Sequence, residues 1–250
     1  MAALVAIASP DGRAALYAPW PASSAGAKGR GAFIVVEGLD RSGKTTQTKR
    51  IESALLSEGY KVKLRRFPDR TTVIGEMINN YLQSKSDLED HVIHLLFSAN
   101  RWELAKEIEK DIADGYTVIC DRYYYSGVVY SAAKSNPQLS LPWAREPEVG
   151  LPRPDLVIFL DLEPEVAEER GGYGDEKYEK REMQEKVRKL FHALKDSGEE
   201  EASDMVIYDA GKSVEEVTKD VLQSVSSAAL AVKQGLHPEL RKVGKWKREH

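Results

Sequence analysis

The sequence predicts an α/β fold, an open parallel sheet of about five strands with helices on both faces. Three observations carry that expectation. Short β-branched runs alternate with helical patterns along most of the chain. Three of the runs, Phe33 to Val36, Val118 to Cys120 and Leu156 to Leu160, are apolar without a break, as strands are when helices cover both faces of a parallel sheet. Between the first run and the first helical stretch lies a glycine-rich connection, where such folds bind ligands beyond the carboxyl ends of their strands.

The elements follow in order. Ala32 to Val36 reads as the first strand, and the helix after Gly43 ends near Gly59, a residue suited to a helix C-terminus. Tyr60 to Arg65 is the second strand. Ser86 and Glu89 have the spacing of a capping box and predict the start of the helix that carries His91 to Trp102. Tyr116 to Cys120 is the third strand, and the proline-rich stretch from Ser135 to Pro154 is a long connection to the fourth, Leu156 to Asp161. Glu168 to Arg181 sets Gly171, Gly172 and Gly174 among charges and is read as a lid. Met205 to Tyr208 is the fifth strand, and Ser213 with Glu216 repeats the capping signature before the last helix.

At 250 residues the chain suits one compact domain, here residues 31–233, with an N-terminal extension (1–30) and a basic tail (234–250). With 42% hydrophobic and 30% charged residues, disorder throughout is excluded. A net charge of -4 lacks the basic excess that a nucleic-acid partner demands. The five cations from Arg241 onward are read as a solvated end. The single cysteine, Cys120, cannot form an internal disulfide and suits a reducing compartment. The segment Val221 to Val232 is short and broken by Gln223, Ser224, Ser226 and Ser227, so no membrane partner is expected. A cytoplasmic location, shared with the nucleus, is expected; the first 31 residues, rich in Ala, Pro and Ser, bear a weak likeness to an organellar signal but carry few arginines.

Gly38-Leu39-Asp40-Arg41-Ser42-Gly43-Lys44-Thr45 fits G-x-x-x-x-G-K-[ST] between strand and helix. The glycines let backbone amides curl round phosphates, Lys44 reaches the terminal phosphates and Thr45 can ligate magnesium; Ser42, Gly43 and Thr46 belong to the same ATP-binding set. Asp121-Arg122-Tyr123 puts a carboxylate for the magnesium shell at a strand end, with a guanidinium beside it that can clamp a phosphate. A surface salt bridge is the competing reading of that pair. Phe67-Pro68-Asp69-Arg70 supplies a further arginine at the same rim. Phe97 and Arg101, four apart on one helix, share a face on which a ring stacks on a base and a guanidinium donates to a base carbonyl; the alternative is core packing for Phe97 and a solvated Arg101.

In this order, Phe67 to Arg70, Leu96 to Glu103 and Asp121 to Tyr123 behind the phosphate loop, the chain resembles the thymidylate kinases from about Gly31 to Val232, and Leu151 to Leu156 and Arg170 to Gly174 extend the likeness. The resemblance implies a P-loop nucleotide kinase fold, ATP as donor with Mg2+, thymidine monophosphate as acceptor, and a homodimer. It implies that Arg70 and Arg122 grip the acceptor phosphate, Phe97 stacks on thymine, Arg101 bonds its carbonyl and Asp40 meets the 3′-hydroxyl. Phe67, Ser126, Gly127, Tyr130 and Tyr178 fall at nucleoside positions, and Arg170, Ala210 and Lys212 at adenine positions. Arg41 in the loop, rather than an arginine in the lid, marks the eukaryotic style. Another nucleoside or nucleotide kinase of the same fold is the nearest alternative. A nucleotide-binding switch is disfavoured because no Asn-Lys-x-Asp signature is present.

Overall fold

The computed structural model describes residues 7–8, 14–15, 29–134, 136–170 and 176–246. Among them, five strands form one parallel sheet: β1 Phe33–Gly38, β2 Lys61–Arg66, β3 Tyr116–Asp121, β4 Leu156–Asp161 and β5 Met205–Asp209, in the order β2-β3-β1-β4-β5. Ile7–Ala8 and Ala14–Ala15 pair antiparallel apart from it. The rest of the N-terminal extension, Gly171 to Gly174 of the expected lid, and residues 247–250 lie outside the described residues.

The continuous apolar runs are explained by alternation of faces. Ile34 and Val36 of β1 pack with Ile51 and Leu55 of α1 (Lys44–Ser57) and with Val217, Val221 and Val225 of the last helix, Val214–Lys233. Phe33 and Val35 point the other way, toward Ala105 and Ile108 of Asp90–Ala113, Tyr124 and Val128 of Tyr124–Ala132, and Val187 and Phe191 of Arg181–Asp196. β1 is buried along its whole length between β3 and β4. It extends past the expected Val36 because Glu37 and Gly38 stay in register with Phe159 and Leu160. All strand ends that carry motif residues therefore point to one edge.

Three local expectations change. The Ser86 capping box does not form: the amides of Ser84, Lys85 and Ser86 bond back to the carbonyls of Tyr81 and Asn80 at the end of α2 (Val73–Leu82), so Ser86 belongs to the preceding element. The next helix, α3 (Asp90–Ala113), is capped instead by Glu89, whose carboxylate accepts from the amides of His91 and Val92. The Ser213 and Glu216 box does form. The proline-rich connection after α4 (Tyr124–Ala132) holds a short helix, α5 (Leu141–Arg145), and a 3-10 turn, Glu146–Glu148.

Before its last four residues, the tail is no solvated end. Gly150 N donates to Val243 O at 2.9 Å, Val243 N to Leu151 O at 2.9 Å and Arg153 N to Arg241 O at 2.9 Å, so residues 241–243 run as a strap along 150–153. Val243 is buried, and Arg241 bonds Asp204 at 3.0 Å. The cations are interleaved with Val243 and Trp246, and that apolar side decides the outcome. Among the described residues no helix is long and apolar enough to cross a membrane.

Candidate active site

The phosphate loop leaves β1 at Gly38 and enters α1 at Lys44. Gly43, the residue before the helix, has φ +91°, a conformation that only glycine adopts without strain. Arg41 has φ +66°, a left-handed conformation costing a non-glycine residue about 1–3 kcal/mol. Lys44 Nζ donates to Leu39 O at 2.6 Å, and burial, reinforced by Arg122, pushes the ammonium down to about 8. Ser42 Oγ is buried without a protein partner, as a phosphate-facing donor would be. Thr46 is exposed on the same turn.

Thr45 Oγ1 donates to Asp121 Oδ2 at 3.1 Å, bringing the loop hydroxyl to the carboxylate at the end of β3. Hydroxyl and carboxylate oxygens fit a magnesium ion, a hard cation that keeps waters and substrate oxygens in its shell. Among the described residues no cluster of three His, Cys, Asp or Glu could hold a metal without such help.

Beside the loop opens a cavity of about 190 Å³ lined by Asp40, Phe67, Arg70, Phe97, Arg101, Arg122, Ser126, Gly127, Tyr130 and Tyr178. Every acceptor-side residue expected from the sequence is thus in one crevice. Arg122 also has φ +66°, held by a bond from its amide to Val36 O at 3.0 Å. Its Nη2 donates to Asp40 Oδ1 at 2.5 Å, its Nη1 to Ser126 Oγ at 3.0 Å, and its guanidinium lies 5.4 Å from the Tyr130 ring centre. Burial alone would raise the Asp40 carboxyl, but Arg122 and Lys44 hold it below the usual carboxylate range. The surface-salt-bridge reading fails, because Arg122 faces the crevice and its partner is a loop residue.

Arg70 stands at the rim, bonded to Asn79 Oδ1 at 2.8 Å and to Glu176 at 2.7 Å. Phe97 lines the crevice and also packs on the cluster of Ile78, Tyr81, Leu82 and Ile93, so the two readings of it coexist. Arg101 is not solvated: it is buried and pairs with Glu148. Phe67 packs on Tyr123 with ring centres 5.6 Å apart, and Tyr130 lies 5.7 Å from Tyr178.

On the donor side, Arg170 donates to Arg41 O at 3.0 Å and to Ala210 O at 2.8 Å, joining the phosphate loop to the turn after β5. Lys212 follows in that turn, with its ammonium drawn toward Asp220 at 3.3 Å.

Sequence reasoning missed three residues. Glu37, fully buried, accepts from the amides of Tyr123 (2.8 Å) and Ser126 (3.2 Å) and from Ser126 Oγ (2.5 Å), capping α4, whose first turn has no side-chain cap of its own. Burial raises its carboxyl, and Arg122 opposes the shift. A lone acid ending an apolar strand was the available signal. Gln184 donates to Asp40 Oδ2 and to Tyr178 O, both at 2.9 Å, and its Oε1 accepts from the Asp40 amide at 3.2 Å. It is a polar residue on the buried stripe of Val187, Phe191 and Leu194. Glu148, the partner of Arg101, sits in a connection without periodicity and gave no signal.

The family model of thymidylate kinase matches residues 36–221. A thymidylate kinase of Schizosaccharomyces pombe is 50% identical over 198 residues, covering 79% of this chain and 93% of the relative. One from Homo sapiens is 47% identical over 193 residues, covering 77% and 88%. A solved thymidylate kinase structure from Candida albicans superposes with a TM-score of 0.74 at 36% identity, covering 86% of this chain and 98% of that one.

Proposed function

Because the chain belongs to the thymidylate kinase family, which transfers the terminal phosphoryl group of ATP to thymidine monophosphate, we propose that Arg41 and Lys44 act on the donor and that Arg70 and Arg122 hold the acceptor phosphate. The observation that carries this division of roles is the bond between Asp40 of the phosphate loop and Arg122 at the crevice, which joins the two half-sites at 2.5 Å.

Phosphoryl transfer asks a protein to align two anions and offset their charge. Arg122 uses two of its five N–H donors on Asp40 and Ser126, and Arg70 stands at the rim beside Asn79 and Glu176, so both guanidinium groups line the crevice proposed for the acceptor phosphate. Asp40, with one oxygen on Arg122 and the other on Gln184, is placed to accept from a sugar 3′-hydroxyl. Thr45 and Asp121 would hold magnesium, which neutralises charge on the transferring phosphates when bound. No general base is required, because the attacking phosphate oxygen is already ionised. Residues 168–181 act as the lid, with Arg170 over the donor and Tyr178 over the nucleoside, and closure excludes water.

An acceptor panel with coupled detection of ADP tests the substrate. Thymidine monophosphate should lead, and deoxyuridine monophosphate should follow with kcat/KM lower by roughly 10–200-fold, the worth of one methyl in an apolar pocket. Preference for a purine monophosphate would sink the acceptor reading.

Lys44 gives a pH prediction. Its ammonium is charged below about 8 and neutral above, and phosphate binding needs the charged form. We expect kcat/KM for ATP, which reports the free enzyme, to fall as pH rises through about 8. A profile flat to pH ~10 would show that the Lys44 ammonium keeps its charge over this range, and would remove the depressed pKa from the account of donor binding.

A second copy of the chain is the proposed partner, as the family likeness implies. Val92, Leu95 and Trp102 on α3 and Val73 and Met77 on α2 are exposed large hydrophobics on adjoining helices, suited to an isologous interface. Sedimentation should give a dimer and Leu95→Glu a monomer; a monomeric parent chain would refute the pairing.

A further inference from the structure

We propose that Glu148 is a positioning residue that sets base specificity, by fixing the Arg101 guanidinium so that only N–H donors meet the base edge and a carbonyl there is chosen over an amino group. The inference rests on the reading of Arg101 as the base-contacting arginine.

Arg101 and Glu148 are almost wholly excluded from solvent, at 2% and 0% side-chain exposure. Arg101 Nε donates to Glu148 Oε2 at 2.9 Å and Nη2 to Oε1 at 2.5 Å. That side-on fork fixes the plane of the guanidinium and engages Nε and one hydrogen of Nη2. The N–H groups left over, on Nη1 and Nη2, belong to a side chain that lines the crevice. A Cβ at Gly127 would lie 2.7 Å from Nη2 and 2.9 Å from Nη1, so α4 runs directly against the guanidinium. The end of an arginine ordinarily yields to such a contact. Here Glu148 prevents it from moving away.

Glu148 is itself held. Pro147 O accepts from Trp102 Nε1 at 2.8 Å and from Ser98 Oγ at 3.3 Å, which ties the turn to the helix that carries Arg101. Past Val149, Gly150 and Leu151 bond Val243 of the C-terminal strap. A buried ion pair is weak evidence for stability, since apolar replacements are often neutral. This one has a different consequence, because its outer face reads ligand. Arginine has donors and no acceptor. An exocyclic amine would set donor against donor beside a guanidinium almost wholly excluded from solvent, the kind of mismatch a polar site rejects most strongly.

The test compares kcat/KM for deoxyuridine and deoxycytidine monophosphates, which share sugar, phosphate and ring size and differ at the edge in question. The parent chain should favour the former. Glu148→Gln puts an amide N–H or a single neutral acceptor against Arg101 and should lower that ratio by about tenfold or more, with the loss falling on KM for deoxyuridine monophosphate more than on kcat. Gly127→Ala sets a methyl group within 2.9 Å of Nη1 and Nη2, so the guanidinium makes room only by giving up its fork to Glu148, and the ratio should fall as well; it carries the test if Glu148→Gln does not fold. Arg101→Ala separates the two levels of the argument. If it abolishes discrimination while Glu148→Gln, or Gly127→Ala in its place, preserves the ratio, Glu148 is structural only and the inference falls. If Arg101→Ala leaves the ratio unchanged, the reading of Arg101 is itself wrong and the inference falls with it.

Discussion

Arg41→Ala is expected to lower kcat by about a thousandfold, the scale of arginines that complete a phosphoryl-transfer site. The residue sits between Asp40 and Ser42 in the loop, with its backbone bent to φ +66° and its carbonyl bonded by Arg170. A strained position is kept only where the surroundings determine it, and in the proposed division of roles this one serves to bring a guanidinium to the donor phosphates without the lid having to supply one. Charge develops on the moving phosphoryl group during transfer, so the loss should appear in kcat and leave the KM for thymidine monophosphate little changed. Arg41→Gly is the control for fold: glycine adopts φ +66° without cost, so it should melt no lower than the parent and share the catalytic loss. Single-turnover measurement of ADP formation reads both variants. Unchanged turnover in Arg41→Ala would place the catalytic arginine elsewhere.

The sequence revealed the fold where its physics is local or strictly periodic. Phe33 to Val36 alternates between the two helical layers, and a run so short, β-branched and closely followed by glycine reads as a sheet interior. The phosphate loop is equally plain, because its glycines and Lys44 answer to one ligand chemistry. What stayed hidden depends on tertiary partners. Arg101 was visible, but its solvated alternative could not be dismissed until Glu148, 47 residues away, proved to be its partner. Glu37 and Gln184 are polar residues on apolar faces, and their purpose lies across the sheet edge in Ser126 and Asp40. The capping signature at Ser86 misled for the converse reason: a local pattern was outcompeted by carbonyls at the end of α2. The tail misled because its charges were weighed without Val243, whose burial decides where the strap lies.

Arg122→Met is the second large effect, expected to lower kcat/KM for thymidine monophosphate by about a thousandfold, as removal of a preorganised donor does. Three bonds fix this side chain and its backbone before any ligand arrives, to Val36 O, Ser126 Oγ and Asp40 Oδ1. The acceptor phosphate therefore meets a guanidinium that needs no reorganisation, and methionine of similar length removes the charge while filling most of the space. A readout independent of catalysis follows from Asp40. Its folded-state carboxyl lies below the usual value because Arg122 and Lys44 outweigh burial. The sign is then fixed: the stabilisation is present above the unfolded carboxylate pKa and is lost as pH falls through the lower folded value. Without Arg122 that carboxyl shifts upward, and this acid-dependent part of the melting temperature shrinks. Melting curves from neutral to acid pH should thus converge for the parent and Arg122→Met, while their acceptor kinetics stay far apart at neutral pH. Kinetics within a few-fold of the parent would remove Arg122 from the acceptor site, and with it the pairing that joins the two halves of the crevice.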